Sequence, residues 1–143
     1  MKIDSIKDGV VIDHIPAGLG MEIYHFLHLD VLDCSVALMK NVTSKKMGKK
    51  DIIKVDTLIQ SDLDVLAYFD TDITINVIKN GERVEKKKPE LPEKLVDIIT
   101  CKNPRCITTT EQEIQQIFKL TDRKNRVYRC IYCESSAKKQ TNN

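Results

Sequence analysis

The chain has 143 residues and a mass of 16.4 kDa, which allows one ordinary domain or two small ones. Charged residues make up 31% and apolar residues 41%, so the composition predicts a folded protein and excludes wholesale disorder. The net charge of +2 gives no reason to expect nucleic-acid binding from charge alone. No apolar run approaches the ~20 residues of a membrane-spanning helix, and the start, MKIDSIKDGV, lacks the apolar segment of a signal peptide. We therefore expect a cytoplasmic protein that does not cross a membrane.

The first part of the chain alternates between strand and helix patterns. Runs of β-branched residues indicate strands, apolar residues at helical spacing indicate helices, and Asn80-Gly81 is typical of a hairpin turn. The predicted elements are a strand at 6–15, a helix at 18–29, strands at 33–40 and 52–55 around the polar loop 41–50, a helix at 61–69 with Ser61 as N-cap, a strand at 73–78 and a returning strand at 82–86. This β-α-β-β-α-β-β order is that of a ferredoxin-like split sandwich with a hairpin extension.

The composition changes near residue 92. Residues 1–92 contain 13 Lys and Arg against 15 Asp and Glu, whereas residues 93–143 contain 10 against 6 and four of the five cysteines. Pro89 and Pro92 favour extended backbone at this point. We therefore predict an α+β protein with one domain over 1–92 and a second, small and β-rich domain over 93–143.

Four cysteines of the second part form two pairs with metal-ligand spacing. Cys101 and Cys106 make a C-x4-C pair, and Cys130 and Cys133 make a C-x2-C pair 23 residues later. Four thiolates suit a tetrahedral structural zinc site, which a domain of this size needs for stability and which leaves no coordination position for catalysis. Two disulfides or an iron–sulfur cluster are the alternatives. Cys34 lies in a predicted strand and is interpreted as a small buried apolar residue.

The residues bear on two classes of function, a nucleic-acid-binding module and an enzyme. A zinc module can bind nucleic acid, and residues 123–129 form a basic turn, but only Tyr128 and Tyr132 lie nearby as stacking aromatics. A solvated face or a protein–protein contact is therefore the favoured interpretation of that turn. An enzyme is not favoured, because the sequence contains no nucleophile elbow, no phosphate-binding loop and no histidine pair at metal-ligand spacing.

Six segments occur in an order that resembles one family over almost the whole chain. They are VVIDHIPAG, MGKKDIIKV, INVIKN, KPELPEKL, CKNPRC and CIYC. Together they resemble the regulatory chain of aspartate carbamoyltransferase, an enzyme of pyrimidine biosynthesis. The resemblance implies a non-catalytic subunit whose N-terminal allosteric domain binds CTP and ATP and forms homodimers. It also implies a C-terminal domain that holds one structural zinc ion and contacts the catalytic chain, so that regulatory dimers bridge catalytic trimers.

The resemblance also implies the residues of a nucleotide site. The nucleotide-binding lysines are Lys54 and Lys86, and the ribose and phosphate region is contacted by Asp13 and His14. The pocket is lined by Asn76 and Ile78, and the base is held by Ile6 and Val11. Read alone, Asp13-His14 would be a turn at a strand end, and Lys54 would be a solvated strand residue. A carboxylate suits sugar hydroxyls and an imidazole can donate to phosphate, so the residue types fit the implied ligand.

Three positions depart from the family pattern. Gly81 and Arg83 stand where the family's best-known member has a tyrosine and a valine, so we expect a more open and more positive base pocket. Lys2 is the only near equivalent of an N-terminal lysine associated with a second nucleotide and its magnesium.

Overall fold

The computed structural model describes residues 7–59 and 63–137, and the chain divides into two compact units, Met1–Glu90 and Leu91–Asn143. No helix of the described residues is long and apolar enough to span a membrane.

The first unit is an antiparallel sheet of five strands with short helices on one face. Its elements are β1 (Gly9–Pro16), α1 (Gly20–Phe26), a 3-10 helix (Leu29–Val31), β2 (Val36–Ser44), β3 (Gly48–Val55), a 3-10 helix (Leu63–Tyr68), β4 (Thr74–Lys79) and β5 (Glu82–Lys87). The strand order is β2-β3-β1-β4-β5. The first four strands therefore have the arrangement of a ferredoxin-like split sandwich, with β5 added at one edge, which confirms the predicted fold class.

The core of the first unit lies between the sheet and the helices. Alternate residues of the three middle strands are fully buried on this inner face, and helix residues such as Ile23 and Leu66 cover them. The strand residues are Val10, Ile12, Ile53, Val55 and Ile75. Because side chains alternate along a strand, the intervening residues lie on the opposite face, which we call the outer face.

Two β-bulges interrupt the strands on either side of β3. The register of β1 against β3 shifts between Ile12 and Ile15, and the register of β2 against β3 shifts between Met39 and Val42. His14 and Asn41 lie in these bulges and have positive φ angles of 57° and 58°. An extra residue at a bulge redirects a side chain, and bulges occur often beside functional sites.

Several predicted bounds differ from the structure. Residues 41–50 are not a loop, because β2 and β3 continue through them to a short turn at 45–47. The second predicted helix is a 3-10 helix, and its predicted N-cap, Ser61, lies outside the described residues. Cys34 precedes β2 and so does not lie in a strand as predicted; it is only partly buried, although it packs against the core.

The second unit is a three-stranded antiparallel sheet with a one-turn helix. Its elements are β6 (Lys94–Val96), α2 (Ile107–Thr110), β7 (Ile117–Asp122) and β8 (Val127–Cys130), in the sheet order β6-β7-β8. Leu95, Phe118 and Tyr128 are each about 1% exposed, and the Tyr128 hydroxyl donates to the carbonyl of Pro92 at 2.6 Å. Few large apolar side chains are buried among residues 91–137 of this unit, so a second source of stability is expected.

Candidate functional site

A row of residues crosses the outer face of the first unit. In the strand register, Lys54 of β3 lies opposite Val11 of β1, Val11 lies opposite Asn76 of β4, and Asn76 lies opposite Lys86 of β5. We call these four residues the outer-face row. Neighbouring strands are about 4.8 Å apart, so Lys54 and Lys86 are roughly 14 Å apart at their Cα atoms, with Val11 and Asn76 between them. Side chains from positions 11 to 86 of the sequence are thus brought to one surface.

The outer-face row contains unpaired polar groups. Within the described residues, no carboxylate forms a salt bridge with Lys54 or Lys86. The Asn76 amide nitrogen donates to the Val11 carbonyl at 3.2 Å, whereas its buried Oδ1 has no partner in the part of the chain that the structure describes. Buried polar atoms are almost always hydrogen-bonded in folded proteins, and an exception is typical of a site that receives a ligand or water.

Asp13 and His14 lie beside this row, in the bulge of β1. Asp13 pairs with Thr74 of β4, and its carboxylate forms a 3.0 Å salt bridge with Lys50 on the outer face. His14 places its Nδ1 3.0 Å from the Thr74 hydroxyl. This contact orients the ring and leaves Nε2 without a hydrogen bond among the described residues, so Nε2 could donate to an anion.

The hairpin of β4 and β5 carries Ile78, a further position that the resemblance assigns to a nucleotide site, and the departing position Gly81. Ile78 lies two residues along β4 from Asn76, on the same face, and it pairs with Gly9 and Arg83. Asn80 and Gly81 have φ angles of 53° and 78°, as a two-residue type I′ turn requires. Glycine at position 81 therefore suits the turn, because glycine adopts a positive φ without strain.

The outer-face row, Asp13, His14 and Ile78 account for seven of the eight nucleotide-site positions suggested by the resemblance. The eighth, Ile6, lies outside the described residues, as does Lys2.

The second unit contains a compact cluster of four thiols. The Sγ atoms of the cysteines all lie within 4.8 Å of one another. The distances from Cys101 to Cys133 and from Cys106 to Cys130 are both 3.6 Å. Zinc–sulfur bonds of about 2.3 Å give a tetrahedron with sulfur–sulfur edges of roughly 3.8 Å, whereas a disulfide needs about 2.05 Å. The four sulfurs therefore fit a tetrahedral metal site and not a pair of disulfides.

Two turns hold the cysteines in this arrangement. Cys106 precedes α2, and its amide donates to the Asn103 carbonyl at 3.1 Å. Cys130 ends β8, and the Glu134 amide donates back to its carbonyl at 2.8 Å. The turn of the C-x4-C pair and the turn of the C-x2-C pair each contribute two sulfur atoms to the cluster, and together they supply the four ligands of one metal site.

The surroundings of the cluster adjust the acidity of its thiols. Burial raises the pKa of Cys101 to about 12, whereas hydrogen bonds from the side chains of Ser135 and Asn103 lower the pKa of Cys133 to about 6. The Thr108 hydroxyl lies 3.1 Å from the Cys106 sulfur. A metal ion that binds here must displace the remaining thiol protons, so hydrogen-bond donors near the sulfurs favour the bound state.

Two arginines of the basic turn at 123–129 form hydrogen bonds within the second unit. The Arg123 guanidinium donates to the Leu91 carbonyl at 3.2 Å and to the Glu93 carboxylate at 2.8 Å. Arg129 donates to the Glu134 carbonyl at 3.0 Å. These hydrogen bonds fix two arginines of the turn within the second unit; the interpretation of the turn as a solvated face or a protein–protein contact stays a prediction.

Two residues of β3 were missed by sequence reasoning. Lys50 forms the salt bridge with Asp13, and Asp51 is fully buried and accepts three main-chain hydrogen bonds. Lys50 belongs to a run of lysines that reads as a solvated loop, and Asp51 follows it directly. Ile53 and Val55 lie on the inner face. If the predicted strand 52–55 is extended by one residue, the same alternation places Asp51 on the inner face too.

Comparison with known proteins links both units to one family. The family model for the aspartate carbamoyltransferase regulatory chain, allosteric domain, matches residues 1–90, and the model for the metal binding domain of the same chain matches residues 93–143.

Curated relatives resemble the chain over nearly its full length. The aspartate carbamoyltransferase regulatory chain of Bifidobacterium longum is 44% identical over 138 residues, which cover 96% of this chain and 99% of the relative. The one from Clostridium botulinum is 49% identical over 134 residues, with 94% and 92% covered, and the one from Clostridium tetani is 49% identical over 135 residues, with 94% of each covered. These matches confirm the resemblance seen in the six segments: the chain belongs to the family of aspartate carbamoyltransferase regulatory chains.

Proposed function

We propose that this chain is the regulatory, non-catalytic subunit of an aspartate carbamoyltransferase in cytoplasmic pyrimidine biosynthesis. Residues 1–92 form the nucleotide-binding domain, in which CTP and ATP compete for one site on the outer face. Residues 93–143 form a zinc domain that contacts the catalytic chain. The observation that supports the nucleotide site most directly is the outer-face row, because it joins Lys54, Val11, Asn76 and Lys86 on adjacent strands.

The charges around the row suit a nucleoside triphosphate. A phosphate chain needs several fixed cations, since one lysine in water gains little over its own hydration. Lys54 and Lys86 form no salt bridge with a carboxylate among the described residues, and they are the two end members of the outer-face row. The His14 ring can add a donor for phosphate, the Asp13 carboxylate can accept from ribose hydroxyls, and the apolar Val11 and Ile78 offer a surface for the base, with Ile6 in the segment just before β1.

The metal is one zinc ion per chain, held by Cys101, Cys106, Cys130 and Cys133. Sulfur–sulfur distances of 3.6 Å support a tetrahedral site, and four thiolate ligands leave no open position for a substrate. The ion therefore has a structural role, and it supplies the stability that the small core of this unit lacks. Iron in the same four-thiolate set is the competing assignment, and metal analysis distinguishes the two.

Membership of the family supports the proposed partners. We propose that the first unit forms homodimers and that the zinc domain binds the catalytic chain, so that regulatory dimers bridge catalytic trimers. Neither nucleic acid nor a membrane is among the proposed partners.

The test is calorimetric titration of the purified full-length chain with CTP, followed by titration with ATP in the presence of CTP. We expect saturable binding of both nucleotides at one site, and loss of the ATP signal when CTP is saturating. Zinc at one equivalent per chain and co-sedimentation with the catalytic chain complete the expected result. Absence of CTP and ATP binding would contradict the nucleotide site, and absence of co-sedimentation would contradict the proposed partner.

A further inference from the structure

Asp51 is a buried carboxylate with an unusual set of partners. Its side chain is 0% exposed and lies on the inner face of β3, beneath the start of α1. Its Oδ2 accepts from the amides of Gly18 at 3.0 Å and Gly20 at 2.9 Å, and its Oδ1 accepts from the amide of Asn41 at 3.0 Å. A buried acidic side chain is costly unless it is well hydrogen-bonded, and here all three donors belong to the main chain.

Two of these contacts hold the segment that follows the bulge of Asp13 and His14, and the third holds Asn41 in the bulge of β2. The ladder between β1 and β3 breaks after Ile12 and resumes with Ile15 opposite Asp51 and Pro16 opposite Lys50. Asp51 therefore holds the segment that follows His14 from the inner face. Lys50, the preceding residue of β3, holds Asp13 from the outer face through a 3.0 Å salt bridge.

His14 needs such support because of its backbone conformation. A φ of 57° lies in the left-handed region, which is unfavourable for a residue other than glycine, so the surrounding structure has to hold it there. The space around the carboxylate is also closed. A Cβ atom at Gly20 would lie 2.8 Å from Asp51 Oδ2 and 2.9 Å from Leu38 Cδ1, so only glycine allows the main chain to approach this closely.

We propose that Asp51 is a positioning residue of the nucleotide site. By fixing the amides of Gly18 and Gly20, it sets the path of the chain after the bulge and thereby the directions of the Asp13 carboxylate and the His14 imidazole. The inference rests on the proposed function, since the ligand it serves is the nucleoside triphosphate of the outer face. A purely structural Asp51 would affect folding stability and leave the nucleotide affinity of the folded chain unchanged.

Three variants of the full-length chain separate these roles. Asp51→Asn keeps the size of the side chain but turns an NH2 group toward at least one main-chain donor. Gly20→Ala keeps the carboxylate and displaces it, and it tests the same link if Asp51→Asn does not fold. Val55→Ala is the control, because Val55 is fully buried at the far end of the same strand and does not contact the bulge.

The measurements are urea unfolding, CTP affinity by calorimetry under conditions where each variant is folded, and the NMR resonances of the His14 imidazole. We expect all three variants to unfold at lower urea concentrations. Asp51→Asn and Gly20→Ala should weaken CTP binding about tenfold, as expected for one lost charge-assisted contact, and should move the His14 resonances. Val55→Ala should leave the affinity within about twofold and the His14 resonances in place.

The outcomes distinguish this inference from the proposed function. If the parent binds CTP and Asp51→Asn binds it equally well, the positioning role is wrong and the nucleotide site stands. Equal losses of affinity in Val55→Ala would also overturn the inference, since lowered stability alone would explain them. If the parent does not bind CTP, the proposed function fails; the His14 resonances of the nucleotide-free variants then decide whether Asp51 positions the bulge.

Discussion

Lys86 and Lys87 are neighbours in β5 whose side chains lie on opposite faces of the sheet. Both are exposed, but Lys86 lies opposite Asn76 in the outer-face row, whereas Lys87 lies opposite the core residue Ile75. Lys86→Ala should weaken CTP binding by roughly 1.5–3 kcal/mol, or about tenfold to a hundredfold, because it removes a charge-assisted contact with phosphate. The loss should be much smaller for cytidine, which has no phosphate. Calorimetry with both ligands measures the difference.

Lys87→Ala provides the matched control for that prediction. It removes the same charge from the adjacent residue, so any long-range effect of net charge on an anionic ligand should be the same in both variants. We expect its CTP affinity to remain close to that of the parent. Equal losses in the two variants would remove Lys86 from the site.

The spacing of the four cysteines was enough to propose the metal site, whereas the nucleotide-site residues could be proposed only through the resemblance to a family. Lys54 alone reads as a solvated strand residue, and its relation to Lys86 depends on a register that crosses three strand pairs. Asp51 was missed because the predicted strand began at Ile52, and a charged residue directly after a run of lysines reads as a continuation of the polar loop. Its burial depends on the path of the segment 18–20, which a local pattern does not reveal.

At the scale of an element, the β4–β5 turn gives a prediction that concerns stability alone. Gly81 has a φ of 78°, and a Cβ atom there would meet nothing within 4 Å. Gly81→Ala should therefore lower the free energy of unfolding by about 1 kcal/mol through backbone strain without a steric clash. Gly81→Asn should cost less, since asparagine tolerates the left-handed region better.

Urea unfolding of the full-length chain measures both changes, with Glu82→Ala as an exposed neighbour of ordinary backbone conformation. A Gly81→Ala variant as stable as the parent would show that this turn does not require a positive φ in solution.

Most elements of the first unit were predictable from local patterns, and the exceptions have physical reasons. β-branched runs located β1 and β4, and Asn80-Gly81 located the hairpin. The polar ends of β2 and β3 were read as a loop, because their outer residues face solvent and β2 is an edge strand, so hydrophobic alternation fades there. The helix at 63–68 is a 3-10 helix, which has i→i+3 hydrogen bonds and about three residues per turn. Over six residues, the spacing of apolar side chains does not distinguish it from an α-helix.

The two units of the whole molecule should respond differently to loss of the metal. Structural zinc contributes on the order of 10 kcal/mol to small domains of this kind, comparable to the stability of a whole domain. Cys106→Ser should therefore abolish zinc binding, unfold the second unit and prevent assembly with the catalytic chain. The first unit has its own core of buried aliphatic residues, so CTP binding to it should persist.

Metal analysis, co-sedimentation and CTP titration of the variant check each part of this prediction. Cys34→Ser is the matched control, because Cys34 is the one cysteine of the chain outside the cluster and lies in the first unit. It should keep zinc and assembly. Normal zinc content in Cys106→Ser would contradict the assignment of the ligands.

The position of β1 has a consequence for synthesis of the chain on the ribosome. It is the first of the described strands to be made, yet it lies in the middle of the sheet, and its residue Val11 contacts Asn76, 65 residues later. Pairing across such separations is slow, because the loop must close before the contacts form. A nascent chain that has not yet reached β4 exposes GVVIDHIP with at least one unpaired edge, which favours aggregation. The outer-face row becomes complete only after Lys86 has left the exit tunnel, whereas the second unit consists entirely of the contiguous segment made afterwards.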